Sequence, residues 1–152
     1  MKRSVNLLGD LVDLIFPALC PGCNEPFVSG ETTLCTSCIL DLPLQASKDE
    51  LTRVFAGRMN IEEIAAFLKF YSGGITQRIL HEIKYRKNLE LARYVGRLFM
   101  QTGKNSLAFQ DVDVIVPVPL HLTKLKKRGY NQSEIIGEGI AKELEKPLDD
   151  NG

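Results

Sequence analysis

Residues 20–38 read CPGCNEPFVSGETTLCTSC and contain all four cysteines of the chain, as two C-x-x-C pairs with eleven residues between them. Each C-x-x-C turn can direct two sulfurs at one point. A short hairpin that joins two such turns completes the tetrahedral thiolate cage that zinc prefers. Turn-forming residues fit this arrangement, since Pro21-Gly22 lies inside the first pair and Ser29-Gly30-Glu31 lies at the expected hairpin tip. The stretch therefore predicts one zinc site with the ligands Cys20, Cys23, Cys35 and Cys38.

Two disulfides or a redox-active pair are the alternatives to zinc. Disulfides need an oxidising compartment, and a redox motif needs only one C-x-x-C pair. The apolar run from Leu7 to Phe16 is broken by Asp10 and Asp13, unlike a secretory signal, and no apolar stretch approaches the roughly 18 residues that span a bilayer. We therefore expect a cytoplasmic protein without a membrane partner, whose reduced cysteines bind zinc. With four protein ligands the metal has no open position, so its expected role is structural.

The composition is that of a globular protein. Apolar residues make up 44% and charged residues 25% of the 152 residues, which argues against disorder and against a membrane bundle. Lys+Arg and Asp+Glu both total 19, so any surface for nucleic acid or another polyanion has to be a local basic patch. The length predicts one domain, or one small domain with a metal-held appendage.

Apolar periodicity divides the chain into segments. Residues 7–16 have helical spacing and predict an amphipathic helix that docks on the body. Residues 44–60 are charged and poorly periodic, as expected of a linker. Residues 64–71 predict a strand, although the pattern fits a helix nearly as well, and helical spacing resumes at 75–83 and 91–99. The predicted domains are therefore the helix and zinc ribbon (1–43), the linker (44–60) and a main body (61–152).

The end of the first of these two helices carries candidate binding residues. His81 lies off the apolar stripe, which predicts a solvated side chain. Lys84, Tyr85, Arg86 and Lys87 close the helix, where the dipole favours cations. A solvated helix end and a contact with an anion both fit this pattern.

The segment 112–120 predicts a buried strand that leads into a basic loop and a helix. Its near-continuous hydrophobicity is typical of a parallel sheet covered on both faces, and Pro117 and Pro119 mark its carboxyl end, where open α/β sheets bind ligands. The cations of 124–128 follow, and Asn131 is placed to cap the next helix. A positive loop before a helix N-terminus suits a phosphate, but a solvated loop fits the spacing equally well.

Together these segments resemble the ComF family of competence-related, phosphoribosyltransferase-like proteins. The resemblance covers nearly the whole chain, and its last two motifs are the most specific to the family. The motifs are Phe16-Pro17 before Cys20-Pro21-Gly22-Cys23, Cys35-Thr36-Ser37-Cys38, Ile83-Lys84-Tyr85, Val116-Pro117-Val118-Pro119-Leu120-His121, and Arg128-Gly129-Tyr130-Asn131-Gln132.

The resemblance implies an α/β fold in which a four-cysteine zinc ribbon precedes a type I phosphoribosyltransferase-like parallel sheet with helices. A complete member would bind phosphoribosyl pyrophosphate with magnesium at the carboxyl edge of that sheet. The family is also linked to uptake of single-stranded DNA with a helicase-like partner. Carried over by motif, 119–122 would border the pyrophosphate loop. The residues that would face phosphate are Lys84, His121, Arg128, Gly129, Asn131 and Gln132.

One family element is missing from the sequence. The family's acidic pair and threonine-rich loop, which hold the ribose and the 5′-phosphate, would follow an apolar strand. Here Asp149-Asp150-Asn151-Gly152 follows Glu145-Lys146-Pro147 and predicts a helix-exit turn. The chain thus resembles the amino-terminal portion of a family member. We expect no complete catalytic set in it and no turnover of phosphoribosyl pyrophosphate by this chain alone. The alternative is a non-catalytic zinc-ribbon adaptor that binds single-stranded DNA through 124–128.

Overall fold

A computed structural model of the protein describes residues 16–44, 57, 63–102, 109 and 111–149. The described part contains five helices, and each begins where its sequence offers a cap or a turn. They are α1 (Thr36–Leu40), α2 (Ile75–Tyr85), α3 (Leu89–Gln101), α4 (Leu122–Arg128) and α5 (Gln132–Leu144). All but the last residue of the predicted helix at 7–16 and most of the predicted linker at 44–60 lie outside the described residues.

Side chains cap the N-termini of α3, α5 and α1, and the Asn131 cap of α5 is the one that the sequence predicts. The Asn88 side chain accepts the N–H of Leu91 at the start of α3, and Asn131 accepts the N–H of Ser133 at the start of α5. In the zinc-binding stretch, the sulfur of Cys35 accepts the N–H of Cys38 at the start of α1. These side chains satisfy backbone donors that have no partner inside the helix.

Helices α3 and α5 make the most extensive helix contact among the described residues, and α2 packs against α3. The buried side chains of these helices form one cluster with the cysteines. It runs from Cys20, Cys35 and Cys38 through Ile79 and Ile83 of α2 to further core residues of α3 and α5. The metal-binding stretch therefore shares its core with the helices.

The predicted parallel sheet is not present in the described part of the chain. The predicted strands 64–71 and 112–120 each make only an isolated bridge: Leu68 pairs antiparallel with Leu44, and Ile115 pairs parallel with Leu148. The prediction that 112–120 is buried is wrong, because no sheet covers it in the described part and Val114, Val116 and Val118 are exposed. A sheet needs continuous ladders between neighbouring strands, and the described residues contain no such neighbour for either segment. The α/β prediction is thus supported for the zinc ribbon and the helices, not for the sheet.

Two local predictions also need correction. The cations of 124–128 do not lie on a loop, because Leu122–Arg128 forms α4. Helix α5 ends at Leu144 with Glu145 in the left-handed conformation (φ 53°), and the chain then turns back to the segment 112–120. There the N–H of Ile115 donates to Pro147 O and the N–H of Asp149 donates to Ile115 O, both at 2.9 Å. Asp149 is therefore extended rather than part of a helix-exit turn.

None of the helices in the described ranges combines the length and apolar character needed to cross a membrane.

Candidate metal centre and basic cavity

The four cysteine sulfurs converge on one point. Cys20 Sγ lies 3.7 Å from Cys38 Sγ, Cys23 Sγ lies 3.7 Å from Cys35 Sγ, and all four sulfurs fall within 4.8 Å of one another. Tetrahedral zinc with Zn–S bonds of about 2.3 Å holds its sulfurs about 3.8 Å apart. Sulfurs in a disulfide would be about 2.0 Å apart, so the geometry fits a metal and not a pair of disulfides. All four cysteines are free thiols in the structure.

Backbone N–H groups stabilise the Cys20 sulfur as an anion. The N–H groups of Gly22 and Cys35 donate to Cys20 Sγ at 3.4 and 3.3 Å. Burial alone would raise the pKa of the Cys20 thiol, but backbone bonds from Cys35, Cys23 and Gly22 bring that pKa down to about 7. For Cys38, burial and the neighbouring sulfurs raise the pKa of the thiol. Zinc needs all four as thiolates, so metal binding must release protons.

The first cysteine turn is tied to helix α2. Arg78 Nε donates to Gly22 O at 2.5 Å, and Arg78 Nη1 donates to Gly73 O at 2.9 Å. The turn leaves no room for a side chain at Gly22, since a Cβ there would lie 2.7 Å from Cys38 Sγ and 3.2 Å from Ile75 Cδ1. The close packing fixes the metal centre against the start of α2.

The opposite end of α2 contributes to a basic cavity. With 11 residues, α2 is about 16 Å long, so its last turn lies well away from the metal centre. The cavity has a volume of about 350 Å³ and lies between this turn and α4. Five cations and one aromatic ring line it: Lys84, Lys87, Lys124, Lys127, Arg128 and Tyr85.

Arg128 is held in place by uncharged neighbours. Its Nη1 donates to Gln132 Oε1 at 2.7 Å, and its guanidinium carbon lies 5.9 Å from the centre of the Tyr85 ring. Neither contact neutralises the guanidinium. Its positive charge and its remaining N–H donors can therefore interact with an anion. Lys84 and Arg128, two of the predicted phosphate-facing residues, thus line the same cavity.

The other predicted phosphate-facing residues have structural roles or lie outside the cavity lining. Asn131 is buried, and besides capping α5 its Nδ2 donates to Val118 O at 3.0 Å. Gln132 orients Arg128. His121 is exposed and its Nδ1 accepts the N–H of Thr123 at the start of α4, while Gly129 ends α4 with φ 81°. A glycine is needed at that position because the left-handed conformation strains other residues.

Three cations of the cavity lining, Lys87, Lys124 and Lys127, were not among the predicted phosphate-facing residues, although the sequence left open an anion contact at 84–87 and single-strand binding at 124–128. Lys87 follows the end of α2, and Lys124 and Lys127 join Arg128 because the turns of α4 place residues three and four apart on one face. The spacing of these cations puts them on one face only if 122–128 is a helix, whereas the sequence pattern predicted a loop there. Tyr85 was treated as part of a basic helix end rather than as an aromatic surface.

Comparisons with known proteins cover parts of the chain. Residues 11–48 match the double zinc ribbon domain family, which supports a zinc ribbon whose ligands are the four converging cysteines. The DNA utilization protein YhgH of Salmonella typhimurium is 32% identical over 66 residues, which are 41% of this chain and 29% of that protein. The match therefore spans less than a third of the relative's length. No solved structure matches the chain.

Proposed function

We propose that this chain is a ComF-like protein related to DNA utilisation, in which the zinc ribbon is structural and the basic cavity binds the phosphates of an anionic ligand. The main observation that supports this proposal is the composition of the basic cavity. It gathers five cations in a protein whose formal net charge is zero, and two of those cations were assigned to phosphate by motif. The name of the Salmonella relative and the double zinc ribbon match support the ComF-like assignment.

The cavity has the charge that a polyphosphate needs. Lys84 and Lys87 lie on one side, and Lys124, Lys127 and Arg128 lie on the face of α4. Among the described residues, no carboxylate lines the cavity and none of its lysines forms an ion pair. Cations gathered without counter-charges repel one another, and a bound polyanion relieves that repulsion.

Phosphoribosyl pyrophosphate, with magnesium in a complete homologue, is the ligand that the family resemblance implies. Its pyrophosphate would interact with Lys84 and Arg128. We propose a binding role for these two residues and assign no catalytic residue.

Single-stranded DNA is the second candidate ligand. The observation in its favour is that the cavity combines cations with an exposed aromatic ring, in a chain that matches part of a DNA utilization protein. Under this second hypothesis the protein is a cytoplasmic adaptor, and its zinc ribbon binds a helicase-like protein partner.

Two measurements distinguish phosphoribosyl pyrophosphate from single-stranded DNA as the ligand: thermal stabilisation by the ligand, and the salt dependence of binding. A ligand that binds only the folded state raises the melting temperature with its concentration. Phosphoribosyl pyrophosphate should stabilise the protein more than free phosphate does if it is the ligand. Single-stranded DNA should bind with an affinity that falls steeply with salt. If neither ligand binds, the proposed function is wrong.

A further inference from the structure

The basic cavity contains an aromatic side chain that phosphate binding does not need. Tyr85, the last residue of α2, lines the cavity, and it is 66% exposed. The other tyrosine near this region behaves differently. Tyr130 packs against the core, and its hydroxyl is buried without a hydrogen-bond partner among the residues that the structure describes. Tyr85 is therefore a largely exposed aromatic side chain beside five cations.

The position of the Tyr85 ring is set by its neighbours. The His81 ring, one turn earlier on α2, lies 4.9 Å away between centroids and is tilted by 45°. Arg128 approaches the ring at 5.9 Å and is itself held by Gln132. A ring that is restrained in this way loses little conformational entropy when a planar group packs on its exposed part.

We infer that Tyr85 is a base-stacking residue, so that the cavity binds single-stranded nucleic acid with an unpaired base on the Tyr85 ring and the adjacent phosphates on the lysines. The inference rests on the proposed function, because the cavity must first bind phosphates. Aromatic rings beside a positively charged groove are the surface on which single strands bind without sequence preference. A sugar pyrophosphate has no aromatic face that would use the ring. Bases inside a duplex are already stacked, so a double strand would gain nothing from it.

The cations are arranged so that the backbone of a single-stranded nucleic acid could run past the Tyr85 ring with lysines on either side of it. Lys84 and Lys87 flank Tyr85 in the sequence, and α4 presents Lys124 and Lys127 across the cavity. A backbone that runs between these two groups would place successive phosphates near successive lysines. The nucleotide between them would have its base within reach of the ring.

Binding of a fluorescein-labelled oligothymidylate of about 15 nucleotides, the upper range of one single-strand site, tests the inference with the full chain. Y85L should weaken binding roughly 5- to 150-fold, the range measured for loss of one stacked base, whereas Y85F should bind nearly as wild type does. Y71L is the matched control, because Tyr71 is 56% exposed and does not line the cavity. Thermal unfolding of each variant verifies that it is folded.

Salt dependence separates stacking from charge. Y85L removes no charge, so the slope of log Kd against log salt should stay that of wild type. K127A should lower that slope by about 0.7, the value for one phosphate of a single strand. An oligonucleotide of the same length with abasic sites should bind wild type as weakly as the normal strand binds Y85L.

Each result has a distinct meaning. If K127A weakens binding and Y85L does not, the phosphate site stands and the stacking role of Tyr85 is wrong. If wild type binds the abasic and normal strands equally, the stacking role is also wrong. If K127A changes neither affinity nor slope, the proposed phosphate site itself is wrong.

Discussion

Gly96 of α3 and Gly139 of α5 face each other where the two helices cross. A Cβ atom placed on Gly96 would lie 3.2 Å from the Cα of Gly139, and it would overlap the carbonyl oxygen of Ile136. A Cβ on Gly139 would overlap the carbonyl oxygen of Arg93 in the same way. The two glycines let the helix backbones touch, and Arg93 pairs with Glu138 across the same contact.

Replacing Gly96 with alanine should destabilise the protein. In an exposed helix this change would stabilise by about 1 kcal/mol, because alanine has the higher helix propensity. Here the added methyl group meets backbone, which cannot move aside as a side chain can. We expect a net loss of about 1–3 kcal/mol in the free energy of unfolding, measured by denaturant titration. K142A, on the exposed side of α5, should stay within about 0.5 kcal/mol of wild type. A stabilised G96A would show that the helices do not cross this closely.

The protein should bind about one zinc ion per chain, since the four thiolates form a closed tetrahedral set. Elemental analysis of the purified protein measures this ratio. C20S should lose the metal, because Cys20 is fully buried and receives two backbone N–H bonds on its sulfur. S37A changes an exposed neighbour in the ribbon and should keep the metal. A metal-free wild-type protein with two disulfides would contradict the zinc assignment.

Arg78 should connect the stability of the ribbon to helix α2. R78A removes the hydrogen bonds to Gly22 O and Gly73 O, and the side chain is partly exposed, so we expect a loss of about 1 kcal/mol. The variant should also release zinc to a chelator faster than wild type does. R78K can restore one of the two bonds, so its stability and its rate of zinc release should lie between those of wild type and R78A. If all three proteins release zinc at the same rate, the bonds of Arg78 do not connect the stability of the ribbon to α2.

Asn131 should prove to be a structural residue rather than a phosphate ligand. N131A removes both the α5 cap and the bond to Val118 O, at a cost of about 1–2 kcal/mol for the cap alone. N131D keeps an acceptor for the cap but cannot donate to Val118 O, so its stability should lie between those of wild type and N131A. Chemical denaturation of the three proteins measures the order. If N131A is as stable as wild type, the side chain is free for another role.

The metal centre was predictable from sequence because its determinants are local. Two C-x-x-C turns carry their own geometry, and the ligand set Cys20, Cys23, Cys35 and Cys38 followed from spacing alone. Helices α2, α3 and α5 were predictable for the same reason, as was the Asn131 cap. The tie between Arg78 and Gly22 spans 56 positions in sequence, and no local pattern indicates it.

The sheet and the cavity depend on partners distant in sequence. A β-branched run such as 112–120 has strand propensity, but whether it enters a sheet is decided by its neighbours, and in the described residues only Leu148 pairs with it. The sequence pattern places the cations of α4 on a loop because they lie between the predicted strand at 112–120 and the predicted helix after Asn131. Helix α4 became evident only from the structure, and with it the alignment of Lys124, Lys127 and Arg128 opposite Lys84.

The most direct test of the account is the effect of R128A on binding of single-stranded DNA and of phosphoribosyl pyrophosphate. Arg128 pairs with no carboxylate in the described part of the chain, and Gln132 fixes its orientation in the cavity lining, so its loss should weaken binding of the true ligand by about 1–3 kcal/mol. R86A is the matched control, because Arg86 lies outside the cavity lining and pairs with Glu82 at 3.4 Å. We predict that R128A binds the ligand at least fivefold more weakly while R86A binds as wild type does. Equal affinities of R128A and wild type for both ligands would contradict the assignment of the basic cavity as a phosphate site.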